Sequence, residues 1–146
     1  MKGMQSHFAI ERDTGAGRIG SLSMGSGEIR TPFFMPDATR GSVRGVSREE
    51  LESTGIEAMV VNTYHLQLAP GSDFIGGAGG IHRFIGWKKP LLSDSGGYQV
   101  YSLIHRNPEM GRITEDGAEF RSVLDGSKHL LTPERAIVIQ FELGVD

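Results

Sequence analysis

The stretches Ala58-Met59-Val60-Val61-Asn62-Thr63 and Pro90-Leu91-Leu92-Ser93-Asp94 decide the fold class of this chain. Each one is a short apolar run that ends in polar side chains. Short strands that are apolar on both faces are typical of a buried parallel sheet. The sequence therefore predicts an α/β fold whose strands end in polar groups at the edge where such folds bind their ligands.

Helix signals alternate with these strands. Ser47-Arg48-Glu49-Glu50 is a capping box, and the helix that it begins should end near Gly55. A second, short helix is predicted over residues 81–85. Thr132-Pro133-Glu134 has the threonine, proline and acid that are typical of a helix start, and Gly144 is the expected end of that helix.

The alternation amounts to about three βα units from residue 33 onward. Such units form either the edge of a doubly wound sheet or the first part of an eight-stranded (β/α)8 TIM barrel, which takes about 250 residues. Val145 and Asp146 begin a further apolar strand, which favours the barrel fragment. We therefore predict a single incomplete domain over residues 1–146, with the first barrel units over residues 33–146.

Two other segments are predicted to be antiparallel. Residues 1–32 form an N-terminal antiparallel β-segment, followed by Phe33-Phe34-Met35 as a short buried strand between two prolines. Residues 112–131 contain two Asp-Gly pairs between short runs, the strongest local hairpin signal, so we predict a β-hairpin insertion there. The N-terminal strands are predicted near residues 8–12, 20–24 and 29–34.

Composition excludes several classes of protein. The chain has 146 residues, of which 38% are hydrophobic, and this is enough for a packed core. It has no cysteine, which excludes a disulfide framework and thiolate metal sites within this stretch. No apolar run reaches the roughly 18 residues of a membrane helix, and no apolar leader opens the chain, so we expect a cytoplasmic protein. The net charge of −3 argues against a self-sufficient module for nucleic acid.

The loop Asp94-Ser95-Gly96-Gly97-Tyr98 is the main candidate site, because it follows a predicted parallel strand. The carboxylate accepts N–H bonds or a proton, the glycines let a planar ligand approach the backbone, and the tyrosine offers a ring for stacking. Asn62 and Thr63 end the neighbouring strand. The competing interpretation is a tight turn in which the aspartate caps its own backbone and Tyr98 fills the core.

Other candidates are weaker. The glycine run at residues 76–80 precedes a helix but lacks the lysine of a phosphate-binding loop, so a flexible loop is the favoured interpretation. The five histidines show no metal-ligand spacing, and we predict no metal site within these residues. His65 lies beside a strand end and is a possible ligand contact. Three arginines, at positions 40, 44 and 48, form either a solvated face or phosphate contacts.

An ordered series of motifs resembles the tRNA-guanine transglycosylase (queuine tRNA-ribosyltransferase) family. The most specific of them is Leu92-Ser93-Asp94-Ser95-Gly96-Gly97-Tyr98-Gln99-Val100, and the series runs in order over nearly the whole chain. The other matching stretches are Thr31-Pro32-Phe33-Phe34-Met35-Pro36, Asn62-Thr63-Tyr64-His65-Leu66, Gly79-Gly80-Ile81-His82, Gly86-Trp87, Leu124-Asp125-Gly126-Ser127 and Thr132-Pro133-Glu134-Arg135-Ala136-Ile137.

The resemblance implies a TIM barrel that exchanges guanine in tRNA, at the anticodon wobble position in the queuosine branch, for a 7-deazaguanine base. One aspartate attacks the ribose and forms a covalent ribosyl-enzyme, and a second takes part in proton transfer. Asp94 matches this second, catalytic aspartate. Ser95, Gly96 and Gly97 match the backbone around the base, and Tyr98 matches the ring that stacks on it. Asn62 and Thr63 match the family's neighbouring strand end, where we expect them to support Asp94.

The resemblance also implies what lies outside this stretch. The family's nucleophilic aspartate and its zinc ligands come after residue 146, so zinc is expected in a full-length member but bound by none of residues 1–146. The implied partners are tRNA, guanine and 7-deazaguanine bases, and a second subunit in a homodimer or heterodimer. We expect this chain to be inactive alone. The alternatives are a non-catalytic partner subunit of the same enzyme, or another barrel enzyme that binds a small planar ligand.

Overall fold

A computed structural model describes residues 7–146, so the first six residues of the predicted N-terminal segment lie outside the described part. An antiparallel sheet opens the fold, in the order β1-β2-β3, as predicted. Its strands are β1 (His7–Asp13), β2 (Arg18–Met24) and β3 (Gly27–Thr31). The third strand stops at Thr31 because the next residue, Pro32, has no N–H to donate to a neighbouring strand.

The prediction of a buried strand at Phe33-Phe34-Met35 is wrong. These residues have no strand pairing, and Phe34 is 71% exposed. Flanking prolines remove backbone donors, which disfavours a strand between them. The pairing begins instead at Asp37, which forms an isolated parallel bridge with Val60.

A short parallel sheet lies at the centre of the described residues. It consists of β4 (Met59–Val61) and β5 (Leu91–Ser93), paired in parallel, with the Asp37 bridge beside β4. The Pro90 carbonyl accepts a hydrogen bond from the β4 backbone. Because successive carbonyls of a strand point to opposite edges, the Leu91 carbonyl faces the other edge of β5, where it accepts from the Asp146 N–H at 3.1 Å. The predicted α/β arrangement with parallel strands is confirmed.

Within residues 7–146, six helices connect and flank these strands. The capping box at Ser47 and the helix start at Thr132 are both formed as predicted. Three helices were not predicted, namely α2, α3 and α5. The glycine run at residues 76–80, interpreted above as a flexible loop, is helical in its first two residues because α3 extends to Gly77. The helices are α1 (Arg48–Ser53), α2 (Thr63–Leu68), α3 (Ser72–Gly77), α4 (Ile81–Ile85), α5 (Gly97–Arg106) and α6 (Pro133–Leu143), with a 3₁₀ turn over Pro108–Met110.

The insertion predicted at residues 112–131 is a three-stranded antiparallel sheet in the order β6-β7-β8. Its strands are β6 (Gly111–Thr114), β7 (Gly117–Arg121) and β8 (Lys128–Leu131). Phe120 from the inner face of this sheet packs with Tyr64 and Val100 in a small core cluster. The insertion is therefore anchored on α2 and α5, next to the loops that follow β4 and β5.

The main core surrounds the parallel strands. Trp87, Leu66, Ile75 and Ile139 are among its fully buried members, and they come from four different segments of the chain. Among residues 7–146, no helix has the length and apolar character needed to cross a membrane.

Asp146 connects the N-terminal sheet to the parallel sheet. Its carboxylate accepts from the Ser26 backbone N–H at 2.8 Å, from the Ser26 hydroxyl at 2.6 Å and from the Leu91 N–H at 3.0 Å. His82 Nε2 lies 3.2 Å from the same carboxylate. Burial raises the pKa of Asp146, but these bonds and the charge of His82 outweigh burial, so the pKa lies below its ordinary value.

Candidate active site

Asp94 lies directly after β5, where its carboxylate bridges two neighbouring strand ends. Its Oδ1 accepts from the backbone N–H of Thr63 at 3.0 Å and from that of Gly96 at 3.1 Å. Its Oδ2 accepts from the Asn62 side-chain amide at 2.5 Å. The Thr63 hydroxyl donates to the Asp94 backbone carbonyl. The structure thus brings together three of the predicted site residues from the two strand ends and Gly96 from the loop.

The Asn62 side chain performs two structural tasks at once. Its amide nitrogen donates to Asp94, while its carbonyl oxygen accepts from the His65 N–H at 3.1 Å and caps α2. Asn62 is only 7% exposed, and both polar atoms of its buried side chain form a hydrogen bond. One residue therefore fixes both the start of α2 and the orientation of the Asp94 carboxylate.

Gly96 is required by the backbone of the loop. Its φ of 74° lies in the left-handed region, and a Cβ placed there would approach the Tyr64 backbone nitrogen to 2.9 Å. Gly97 differs, because it lies in the first turn of α5, and a Cβ there would meet only the Ser95 hydroxyl at an ordinary 3.4 Å. The chain itself therefore demands only the first glycine of the pair.

Tyr98 does not fill the core, so that part of the turn interpretation is wrong, although Asp94 does cap its own loop through Gly96. The Tyr98 side chain is 74% exposed. It borders an open groove of about 580 Å³, which we name the Tyr98 groove, together with Tyr64, His65, Gln99, Arg106 and Met110. Ser95 and Gly97 face a different, apolar groove that includes Ile137.

His65 was a weaker prediction, and the structure places it on the Tyr98 groove. Burial lowers the pKa of its imidazole, as does the positive charge of Arg40, and these effects outweigh the opposing charges of Asp94 and Asp37. The ring is therefore neutral at pH 7 and presents one donor and one acceptor nitrogen.

Gln99 also lines the Tyr98 groove, and sequence reasoning did not single it out as a site residue. Its side-chain oxygen is buried and has no hydrogen-bond partner among the described residues. The signal that could have identified it is its place in the Leu92–Val100 motif, one residue after Tyr98.

The sequence profile of the family described as "Queuine tRNA-ribosyltransferase" matches residues 13–146 of this chain. The chain belongs to this family. It is 48% identical over 139 residues to the queuine tRNA-ribosyltransferase of Oleidesulfovibrio alaskensis, covering 95% of this chain and 36% of that protein. The queuine tRNA-ribosyltransferase of Nitratidesulfovibrio vulgaris is 49% identical over the same shares, and that of Novosphingobium aromaticivorans is 47% identical.

The predicted membership of the queuine tRNA-ribosyltransferase family, as an N-terminal portion, is thereby confirmed. The chain spans about 36% of the length of these relatives. The relatives carry the name of a tRNA-modifying glycosyltransferase, and Asp94 with its neighbours lies inside the matched stretch.

Two further sequence predictions concern the arginines and a metal site. Arg48 donates to the Gly86 carbonyl at 3.1 Å and pairs with Glu49 and Glu52, which favours the structural interpretation for this arginine. Among residues 7–146, no three His, Asp or Glu side chains lie together as a metal site would need.

Proposed function

We propose that this chain supplies the base-binding half of a tRNA-guanine transglycosylase site. The full-length protein would exchange guanine, at the anticodon wobble position, for a 7-deazaguanine base through a covalent ribosyl-enzyme. The observation that carries the proposal is the Asp94 carboxylate, which Asn62, Thr63 and Gly96 hold at the ends of two adjacent parallel strands. That arrangement suits a residue which must present an oxygen to the edge of a purine.

Asp94 acts in proton transfer. Expulsion of guanine leaves negative charge on the purine, and proton transfer by a positioned side chain accelerates such a step by a factor of about 10²–10⁴. The three donors to Asp94 come from rigid groups, two backbone amides and a buried side chain. The carboxylate therefore keeps its orientation through the reaction, with its remaining lone pairs available to the base.

The neighbouring residues bind the base. The exposed Tyr98 ring is available for stacking, which contributes about 1–3 kcal/mol per nucleobase. Ser95, Gly96 and Gly97 place backbone beside the base. A nucleotide turned out of its stack into such a pocket is the usual arrangement for chemistry on a base.

The parallel pairing supports a (β/α)8 barrel in the full-length protein. The Asp37 bridge, β4, β5 and the Leu91–Asp146 hydrogen bond follow one another in chain order across the sheet. Chain-ordered parallel strands separated by helices are consistent with the opening of a TIM barrel. In this arrangement residues 33–146 form the first units, and residues 1–32 form the antiparallel segment before them.

Residues 7–146 offer no donor set for the zinc that the family resemblance implies. The sequence has no cysteine, and the described residues hold no cluster of metal ligands. Following the family resemblance, we assign zinc and the nucleophilic aspartate to the part of the full-length protein outside this chain. Its proposed partners are tRNA, guanine and 7-deazaguanine bases, and a second subunit in the cytoplasm.

The experiment is labelled-guanine exchange into tRNA by the full-length protein. We expect exchange by the wild type, loss of exchange in Asp94→Asn, and no exchange by the isolated 146-residue chain. Asp116→Asn, in the exposed turn between β6 and β7, is the matched control and should exchange normally. A wild type that binds tRNA without exchange would support the non-catalytic subunit instead.

A further inference from the structure

Two open grooves of this chain share one residue. The Tyr98 groove runs past Arg106 and Asn107 to Met110. A second groove of about 590 Å³, which we name the sheet groove, also includes Met110 and continues over Arg121 and Lys128. The two grooves therefore adjoin at Met110, and together they extend from Tyr98 to the inserted sheet.

The sheet groove is bordered by the outer face of the insertion. Side chains alternate along a strand, so the face opposite Phe120 carries Arg112, Glu119, Arg121 and Lys128. This face presents three cations against a single carboxylate. Both oxygens of that carboxylate, Glu119, are bonded to Arg112 at 2.9 and 3.0 Å.

Arg121 and Lys128 are directly opposite each other in the register of β7 and β8. Like charges in this position destabilise a sheet by some tenths of a kcal/mol. Both side chains are exposed, and neither forms an ion pair with another residue in the 7–146 range. Nearby Asp125 is engaged by Ser127, whose N–H and hydroxyl donate to it at 3.1 and 2.7 Å. Glu109 is the other acid that lines the sheet groove.

We propose that Arg121 and Lys128 bind the phosphodiester backbone of the tRNA strand next to the exchanged nucleotide, with Arg106 in the Tyr98 groove. This inference rests on the proposed function, since it deepens the account of how tRNA approaches the Asp94 site. A phosphate placed between the two opposed cations removes their mutual repulsion and gains a charge-assisted contact from each. The groove and the outer face thus fit a polyanion that extends away from Tyr98.

Salt dependence measures such contacts directly. Each cation that neutralises a phosphate of single-stranded RNA contributes about 0.7 to the slope of log affinity against log salt. Loss of two contacts therefore lowers the slope by about 1.4. Taking the contribution to vanish at 1 M salt, the variant without these two contacts should bind about 25-fold more weakly than the wild type at 0.1 M salt.

The test compares the full-length wild type with Arg121→Gln/Lys128→Gln. Glutamine keeps much of the side-chain length and removes the charge. The affinity for unmodified tRNA is measured by filter binding at several salt concentrations, and labelled-guanine exchange gives KM and kcat. The matched control is Arg18→Gln/Lys88→Gln, which removes two exposed cations that line neither groove.

We expect the double variant to show a slope lower by about 1.4, a KM raised about 25-fold at 0.1 M salt and an unchanged kcat. The control should keep the wild-type slope and KM. A double variant with the wild-type slope and KM overturns the proposal. Where the double variant fails to fold, Lys128→Gln alone should lower the slope by about 0.7, and an unchanged slope is equally decisive.

The same measurements separate this proposal from the proposed function. Filter binding requires no catalysis, so a wild type without exchange but with the predicted slopes refutes the transglycosylase activity and keeps the phosphate contacts. Exchange by the wild type with identical slopes in all variants keeps the activity and refutes the contacts. A wild type that binds no tRNA refutes both.

Discussion

Asn62→Ala should uncouple the two strand ends that hold Asp94. The substitution removes the side-chain cap of α2, which contributes about 1 kcal/mol, and a hydrogen bond to a carboxylate, which contributes about 1.5–3 kcal/mol. The free energy of unfolding of the region should fall by about 2.5–4 kcal/mol in total. Asn62→Ser separates the two effects, because serine caps a helix as well as asparagine but is too short to span both partners.

The assay is urea-induced unfolding of the full-length protein in a double-mutant cycle with Asp94→Ala. Hydrogen exchange of the peptide over residues 62–68 serves as a local measurement. We expect a coupling energy of about 1.5–3 kcal/mol between the two positions, and faster exchange of the His65 amide in Asn62→Ala than in Asn62→Ser. A coupling energy below about 0.5 kcal/mol would refute the reasoning, since independent sites add within that margin.

Two further predictions concern the loop and the connection between the sheets. Gly96→Ala should lower the free energy of unfolding by at least about 1–2 kcal/mol from left-handed strain alone. It should also abolish guanine exchange, because the added Cβ meets the Tyr64 backbone. Gly97→Ala is the mild control, and equal losses of urea resistance in the two variants would contradict the assignment. The pKa of Asp146 is lowered, so its contribution to the free energy of unfolding is present above about pH 4 and is lost as pH falls through the pKa of the folded state. Asp146→Asn should therefore reduce the loss of urea stability on acidification below about pH 4, whereas an unchanged pH profile would disprove the connection.

Local chemical signals predicted part of the fold. The capping box at Ser47, the helix start at Thr132 and the Asp-Gly turns of the insertion are formed as expected, because each depends on side chains within a few residues. The three missed helices have no such signal. α2 ends just before Pro70 and α3 contains two glycines, so both resemble loops, and tertiary packing of Leu66 and Ile75 holds them.

The sequence predicted which residues form the candidate site, but not the hydrogen bonds between them. The strand-end rule brought Asn62, Thr63 and Asp94 together from the sequence alone. It did not show that Asn62 would cap α2 while donating to Asp94, since that depends on how α2 is placed. The prediction of a buried strand at Phe33-Phe34-Met35 was wrong for a related reason. An apolar run indicates a tendency to be buried, but it does not show whether a partner strand lies within hydrogen-bonding distance.

The most direct test of the central claim is the single-turnover rate of guanine release from tRNA by the full-length protein carrying Asp94→Asn. With Asp94 in proton transfer, the rate should fall by a factor of about 10²–10⁴ while tRNA affinity stays at the wild-type value. A rate within about threefold of the wild type, at equal affinity, would contradict the role of Asp94 in the exchange.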